Sequence, residues 1–158
     1  MDAAILALAL PLVKQWEGLR LAPYRCASGF ATIGYGTRFY PGGKAVAMGD
    51  PQITAQEAEE FLSRALEELL KELPRRFARV PSAHQAAAML SLAYNIGLEN
   101  FAGSTLLEKF NAGDARAAAK EFPRWCNARL GGKLTVLDGL LKRRQAEAAF
   151  FLTPDAAP

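Results

Sequence analysis

Apolar residues recur along this chain with two different periods, and the change between them divides it. In residues 1–18, Leu12, Val13 and Trp16 share one face of a helix that stops at Gly18, and Pro11 kinks that helix or restarts it at a first turn. From Arg20 to Pro51 the spacing shortens. There Gly29, Gly34, Gly36, Gly42, Gly43 and Gly49 are interleaved with Tyr24, Phe30, Ile33, Tyr35, Phe39 and Val46. Glycines this close together, between short aromatic and β-branched runs, predict a small twisted sheet with tight turns. Everything after Ile53 reads as helix. Thr54 and Glu57 make a capping box ahead of Phe61, Leu62, Leu66, Leu69, Leu70 and Leu73, and Pro74 bends or ends that helix. Ser82 and Gln85 make a second box, opening an Ala- and Leu-rich helix that stops at Gly97. Ser104, Asp114 and Asp138 then cap helices ending near Gly113, running toward Trp125, and running through Leu141 and Ala148 to Phe151. A helix, a small β-element and a helical lobe make an α+β fold.

Composition sets the scale. The 158 residues are 51% hydrophobic and 22% charged, enough for one domain over 1–158, with no repeat or low-complexity linker to divide it. A compact chain of this size buries roughly 68–70% of the surface it would expose unfolded, so neither disulfide nor metal is needed to hold it. The longest apolar run, the eleven residues Ala3–Val13, is short of the ~20 that a membrane-spanning helix requires. Asp2, rather than a basic residue, precedes it, which argues against a cleaved signal peptide. Cys26 and Cys126 lie too far apart for a zinc pattern and read as free thiols in a reducing compartment. The single histidine, His84, falls in the first turn of a helix and reads as a surface residue. Net charge is +3 with a pI near 9.0, a mild bias toward polyanionic partners: nucleic acid, acidic lipid or cell wall.

Most candidate motifs dissolve on inspection. Gly34-Tyr-Gly36 lacks the third glycine of a dinucleotide fingerprint, and Gly131-Gly-Lys133 has Asn127 where a phosphate loop needs glycine. Glu57, Glu59, Glu60, Glu67, Glu68 and Glu72 have Arg64 and Lys71 as near partners, the pattern of a solvated helix face. Only Lys142-Arg143-Arg144 approaches a basic cluster, and no nucleic-acid recognition motif accompanies it. Glu17 is different. A carboxylate beside Trp16 and Gly18, at the end of an apolar helix and facing a β-turn region, is placed where desolvation raises an acid's pKa, so it reads either as a general acid or as a helix-end surface residue.

The run from Trp16 to Thr37 resembles the active-site signature of the phage-type lysozymes, glycoside hydrolase family 24, in which Glu is followed after eight residues by Asp or Cys and after five more by Thr. Glu17, Cys26 and Thr32 match that spacing. The resemblance continues in order through Val46-Ala-Met-Gly49-Asp50, Ile53-Thr54, Ser91-Leu-Ala-Tyr94-Asn95-Ile-Gly97, Ser104-Thr-Leu-Leu107, Asn111-Ala-Gly113-Asp114, Phe122 with Trp125, Gly139-Leu140 and Arg143-Arg144. Two positions depart from the commoner form: Cys26 stands where many members carry Asp, and Thr37 where many carry His.

The resemblance implies a lysozyme-like fold with a β-rich lobe over about 18–53, a connecting helix over 54–79, helical parts at 1–17 and 82–158, and a cleft between the lobes. It implies a muramidase cleaving the β-1,4 bond between N-acetylmuramic acid and N-acetylglucosamine, a phage or prophage endolysin. Such a protein is a monomer without metal or cofactor, has peptidoglycan and not nucleic acid as partner, does not insert in membranes, and resides in the host cytoplasm before it reaches the wall. Glu17 is then the proton donor. Cys26 is base, water-positioner or nucleophile, the first two favoured because a thiol of ordinary pKa near ~8.5 is only slightly ionised at neutral pH. Thr32 holds the attacking water. Arg143 or Arg144 resembles the family's arginine that approaches the catalytic Glu. Tyr24, Tyr35, Tyr94 and Asn95 either line a sugar groove or pack in the core. A non-catalytic wall-binding module of the same fold is the competing reading.

Overall fold

A computed structural model describes residues 2–155. Helix α1 (Asp2–Glu17) continues through Pro11, which sits on its exposed side, and stops where Gly18 turns left-handed at φ +63°. Strand β1 (Arg20–Arg25) pairs antiparallel with β2 (Ala31–Gly34). Helix α2 (Ala55–Glu72) runs into a 3-10 turn at Leu73–Arg76, where Pro74 removes the next helical donor. Then come α3 (Ala83–Ile96), α4 (Leu98–Ala102), α5 (Thr105–Asn111) and α6 (Ala115–Ala119). A 3-10 turn at Phe122–Arg124, the hairpin β3 (Asn127–Leu130) and β4 (Lys133–Val136), and α7 (Asp138–Phe151) complete the order. No helix among the described residues is long and apolar enough to cross a membrane.

Two compact units emerge, one of residues 10–68 and the other of 1–9 with 69–158. In the first, Leu12 and Val13 of α1, Ile33 and Tyr35, Val46, and Ala58, Leu62 and Leu66 of α2 form the core. The last three recur every fourth residue, the stripe an amphipathic helix buries. Gly34 lets strand and helix meet. It has φ +63°, and a Cβ there would lie 3.1 Å from that of Ala58. In the second unit, all eight residues from Ala86 to Ala93 of α3 are buried, as are Phe101, Leu106, Phe110, Phe122 and Phe151. The Phe110 and Phe151 rings meet edge to face at 6.1 Å.

The helix-only expectation for everything beyond Ile53 fails at one place. Residues 127–136 form an antiparallel hairpin in register Asn127↔Val136 to Leu130↔Lys133, turning on Gly131 and Gly132 at φ +57° and +80°. Two successive positive φ values are what a tight hairpin turn demands, and paired glycines supply them. Asp138 is correspondingly the first helical residue of α7 rather than its cap, which is Leu137. The helix from Asp114 ends at Ala119, well before Trp125, although Asp114 caps it as expected, accepting from the Ala117 amide at 2.8 Å.

Candidate active site

Glu17, Tyr24, Cys26, Thr32 and Tyr35 all belong to the unit of residues 10–68. Strand register does most of the assembly. Tyr24 pairs directly with Thr32 and Arg25 with Ala31. Directly opposed residues share a sheet face, and residues two apart on a strand share it too, so Tyr24 and Thr32 come to one side, with Phe30 and Cys26 at the adjoining turn. That turn is closed by the Cys26 amide donating to the Phe30 carbonyl at 3.0 Å and the Gly29 amide donating to the Cys26 carbonyl at 2.8 Å. Glu17 ends the preceding helix, half-buried, and its charge reaches the Tyr24 phenol, as does that of Cys26. Burial first, then these two acidic neighbours, push the Tyr24 phenol above its ordinary range, against the pull of Arg20. The Arg20 guanidinium lies 4.6 Å from the centre of the Tyr24 ring. Tyr24 is therefore a neutral hydroxyl under the influence of both Glu17 and Cys26.

Cys26 is a free, half-buried thiol, and so is the buried Cys126. Desolvation pushes the Cys26 thiol up, but the Thr32 hydroxyl, the amides of Phe30 and Ser28 and the charge of Arg38 together bring it below its ordinary value. Thr32 is almost fully buried, and its one proton has two takers. The hydroxyl donates to the Phe30 carbonyl at 3.0 Å and can turn instead to the Cys26 sulfur when that is ionised. The site thus holds a half-buried carboxylate, a thiol biased toward ionisation, and a hydroxyl that follows the thiol's protonation state. Thr37, which stands where many family members carry His, is buried with its hydroxyl unpartnered, and its backbone closes the next turn on Ile33 with two 2.9 Å bonds.

The remaining candidates make contacts within their own units. Tyr35 is a buried residue of its unit's core, with the Lys14 ammonium 5.4 Å from its ring centre. Asn95 and Arg143 belong to the other unit. There Arg143, Arg144, Glu147 and Ser91 form a buried ionic cluster: the Glu147 carboxylate accepts from Ser91 at 2.6 Å, Arg143 at 3.0 Å and Arg144 at 2.8 Å, and Asn95 accepts from Arg144 at 3.0 Å. The sequence assigns no role to Glu147, Ser91, Phe30 or Arg38. The spacing of Arg143 and Arg144 to Glu147, i+4 and i+3, was a signal available for the cluster; for Phe30 and Arg38 none existed, because Phe30 acts through its carbonyl and Arg38 through the fold.

The family model for phage lysozyme matches residues 14–147. The endolysin of Acyrthosiphon pisum secondary endosymbiont phage 1 is 42% identical over 142 residues, covering 90% of this chain and 93% of that protein. The endolysin of Bacillus phage PZA is 37% identical, and the chain spans about half of its length, 52%. Among solved structures, an endolysin from Escherichia coli O157:H7 phage FAHEc1 superposes with a TM-score of 0.84 at 33% identity, covering 92% of this chain and 90% of that one. A mutant of P22 lysozyme superposes at 0.75 with 35% identity, covering 92% and 95%. The breadth of these matches establishes that the chain belongs to the phage lysozyme family and is a glycoside hydrolase.

Proposed function

We propose that this chain is a muramidase that hydrolyses the β-1,4 bond between N-acetylmuramic acid and N-acetylglucosamine in peptidoglycan during phage-induced lysis, with Glu17 as proton donor and Cys26 and Thr32 handling the attacking water. The observation that supports the residue assignment is that Tyr24 and Thr32 share one face of the β1–β2 hairpin with Cys26 at its turn, while Glu17 at the end of α1 acts on Tyr24. Glycosidic hydrolysis needs a proton on the leaving oxygen and support for attack at the oxocarbenium-like carbon. Glu17 in its acid form gives its proton to the glycosidic oxygen as the bond to the anomeric carbon breaks. Water attacks that carbon, and the Cys26 thiolate takes the proton the water loses, while Thr32 orients the water through its lone pairs. Base catalysis suits the thiolate, because its surroundings favour ionisation without exposing it fully. The protein works as a monomer, made in the host cytoplasm and acting once it reaches the wall.

The test is loss of turbidity of purified cell walls by Glu17→Gln beside the wild type. The amide keeps the shape and has no acidic proton, so the rate falls by ~10²–10⁴-fold while the urea midpoint stays put. Retention of more than about a tenth of the rate would remove Glu17 from the role. A wild type that binds walls and never clears them would make the chain a wall-binding module.

A further inference from the structure

Beside the site stands an arginine that none of the motifs points to. The Arg38 guanidinium lies 3.6 Å from the centre of the Phe30 ring, and 5.9 Å from that of Phe39. At 3.6 Å a planar guanidinium is in stacking contact with the ring, a geometry that orients both partners. Phe30 needs such a partner. Its side chain is 50% exposed, so the core does little to hold it. Yet its backbone is the hub of the site, for its carbonyl accepts from both the Cys26 amide and the Thr32 hydroxyl at 3.0 Å, and its own amide is turned toward the Cys26 sulfur.

The chain path explains how Arg38 gets there. Ile33 and Thr37 exchange two backbone hydrogen bonds of 2.9 Å across a tight turn, so the residue after Thr37 returns beside the residue before Ile33, which is Thr32. The Arg38 carbonyl is fixed from the other side by the Val46 amide at 2.9 Å. A backbone held at both ends presents the guanidinium at the Phe30 ring.

We propose that Arg38 is a positioning residue for hydrolysis: by stacking on Phe30 it fixes the turn that seats Cys26 and Thr32, and it brings its positive charge to the turn that carries the base. This rests on Cys26 being the base. Arg38 is the charge that acts on the thiol, favouring the anion, while Glu17 and Cys26 in turn act on the neutral Tyr24 of β1. Arg25, next in sequence, donates instead to the Gly29 carbonyl at 3.0 Å.

The experiment reads the thiol directly. Alkylation of Cys26 by iodoacetamide is followed by mass spectrometry across pH in the wild type, Arg38→Gln, Arg38→Lys and Phe30→Leu, and wall clearing is measured on the same samples. Removing the charge in Arg38→Gln raises the midpoint of alkylation, which slows alkylation at any pH below that midpoint, and the pH at which clearing sets in moves up with it. Arg38→Lys keeps the charge without the flat stack and recovers most of the midpoint but not the full rate of clearing. Phe30→Leu resembles it. Raising salt on the wild type screens the same charge and moves the midpoint the same way with no mutation at all. An alkylation midpoint identical in wild type and Arg38→Gln overturns the proposal. A midpoint that moves while the pH profile of clearing does not leaves Arg38 acting on the thiol and overturns instead Cys26 as the base, and with it the part of Arg38 in hydrolysis.

Discussion

Replacing Cys26 by aspartate, serine and alanine separates the ways this side chain can serve the reaction. A base or water-positioner tolerates Cys26→Asp, whose carboxylate is ionised at neutral pH, while Cys26→Ser keeps size and hydrogen bonding without an accessible anion. Clearing of cell walls should therefore persist in the Asp variant and fall by ~10²-fold or more in the Ser and Ala variants. An inactive Asp variant would favour a thiolate nucleophile, and a glycosyl adduct on Cys26 would be the mass to find. At this scale the sequence is readable where chemistry resides in the side chain. Glu17, Cys26 and Thr32 carry a spacing that survives any change in the surrounding fold. Phe30 is opaque because its contribution is a carbonyl every residue possesses, and Arg38 because its place depends on a backbone turn three positions long.

Among the elements, the helix starts were the most legible. The Ser82 hydroxyl accepts from the Gln85 amide at 3.1 Å and the Gln85 side chain accepts from the Ser82 amide at 3.0 Å, the reciprocal pair that the letters alone announce. Thr54 and Glu57 do the same for α2. Helix α7 was legible in position but not in content. Its inward face carries Arg143, Arg144 and Glu147 beside Phe151, all buried, where an apolar stripe is the ordinary solution. Burial pushes the Glu147 carboxyl up, and the charges of Arg144 and Arg143 with the Ser91 hydroxyl pull it down. Such a cluster is costly to break on one side. Glu147→Ala removes the carboxylate that two buried guanidiniums share and should cost about 3–5 kcal/mol, measured as a lowered urea midpoint. Replacing the three charged residues together by apolar ones should recover much of that loss; a single Glu147→Ala with an unchanged midpoint would show that water reaches the cluster.

The molecule as a whole ties its last described residues back to the start of α3. Asp155 accepts from the amides of Ala83 and His84 at 2.9 and 3.2 Å and meets His84 Nδ1 at 2.7 Å. The His84 contact, then the two amides, hold the Asp155 carboxyl down at about 2, against an ordinary 3.8. The folded chain thus binds this proton less readily than the unfolded chain. The stability Asp155 contributes is complete above the ordinary value and is lost as pH falls from there toward about 2. Denaturant midpoints of wild type and Asp155→Asn should differ at neutral pH and converge across that acid window; a gap that widens on acidification would refute the assignment. Nothing in the letters foretold this link, since His84 and Asp155 are 71 positions apart. Fold class was legible because helical and strand periods segregate along the chain. The one strand pair that escaped, β3–β4, sits inside a helical region and is too short for its period to outweigh its neighbours.

That hairpin has a property of its own. From Asn127 to Lys142 no residue is buried, and Arg129 and Lys133, flanking the glycine turn, are both exposed. A segment with so little packed against it can open without disturbing the core and belongs to the low end of local stability. Trypsin should cut there first, after Arg129 or Lys133, and the nicked protein should melt as a unit close to the intact chain; early cleavage at other sites, or unfolding on the first cut, would show the hairpin to be a structural brace. If it is cut as expected, the joint between Gly131 and Gly132 is a place where new amino- and carboxy-termini, or an inserted reporter peptide, can be installed while the hydrolase stays folded.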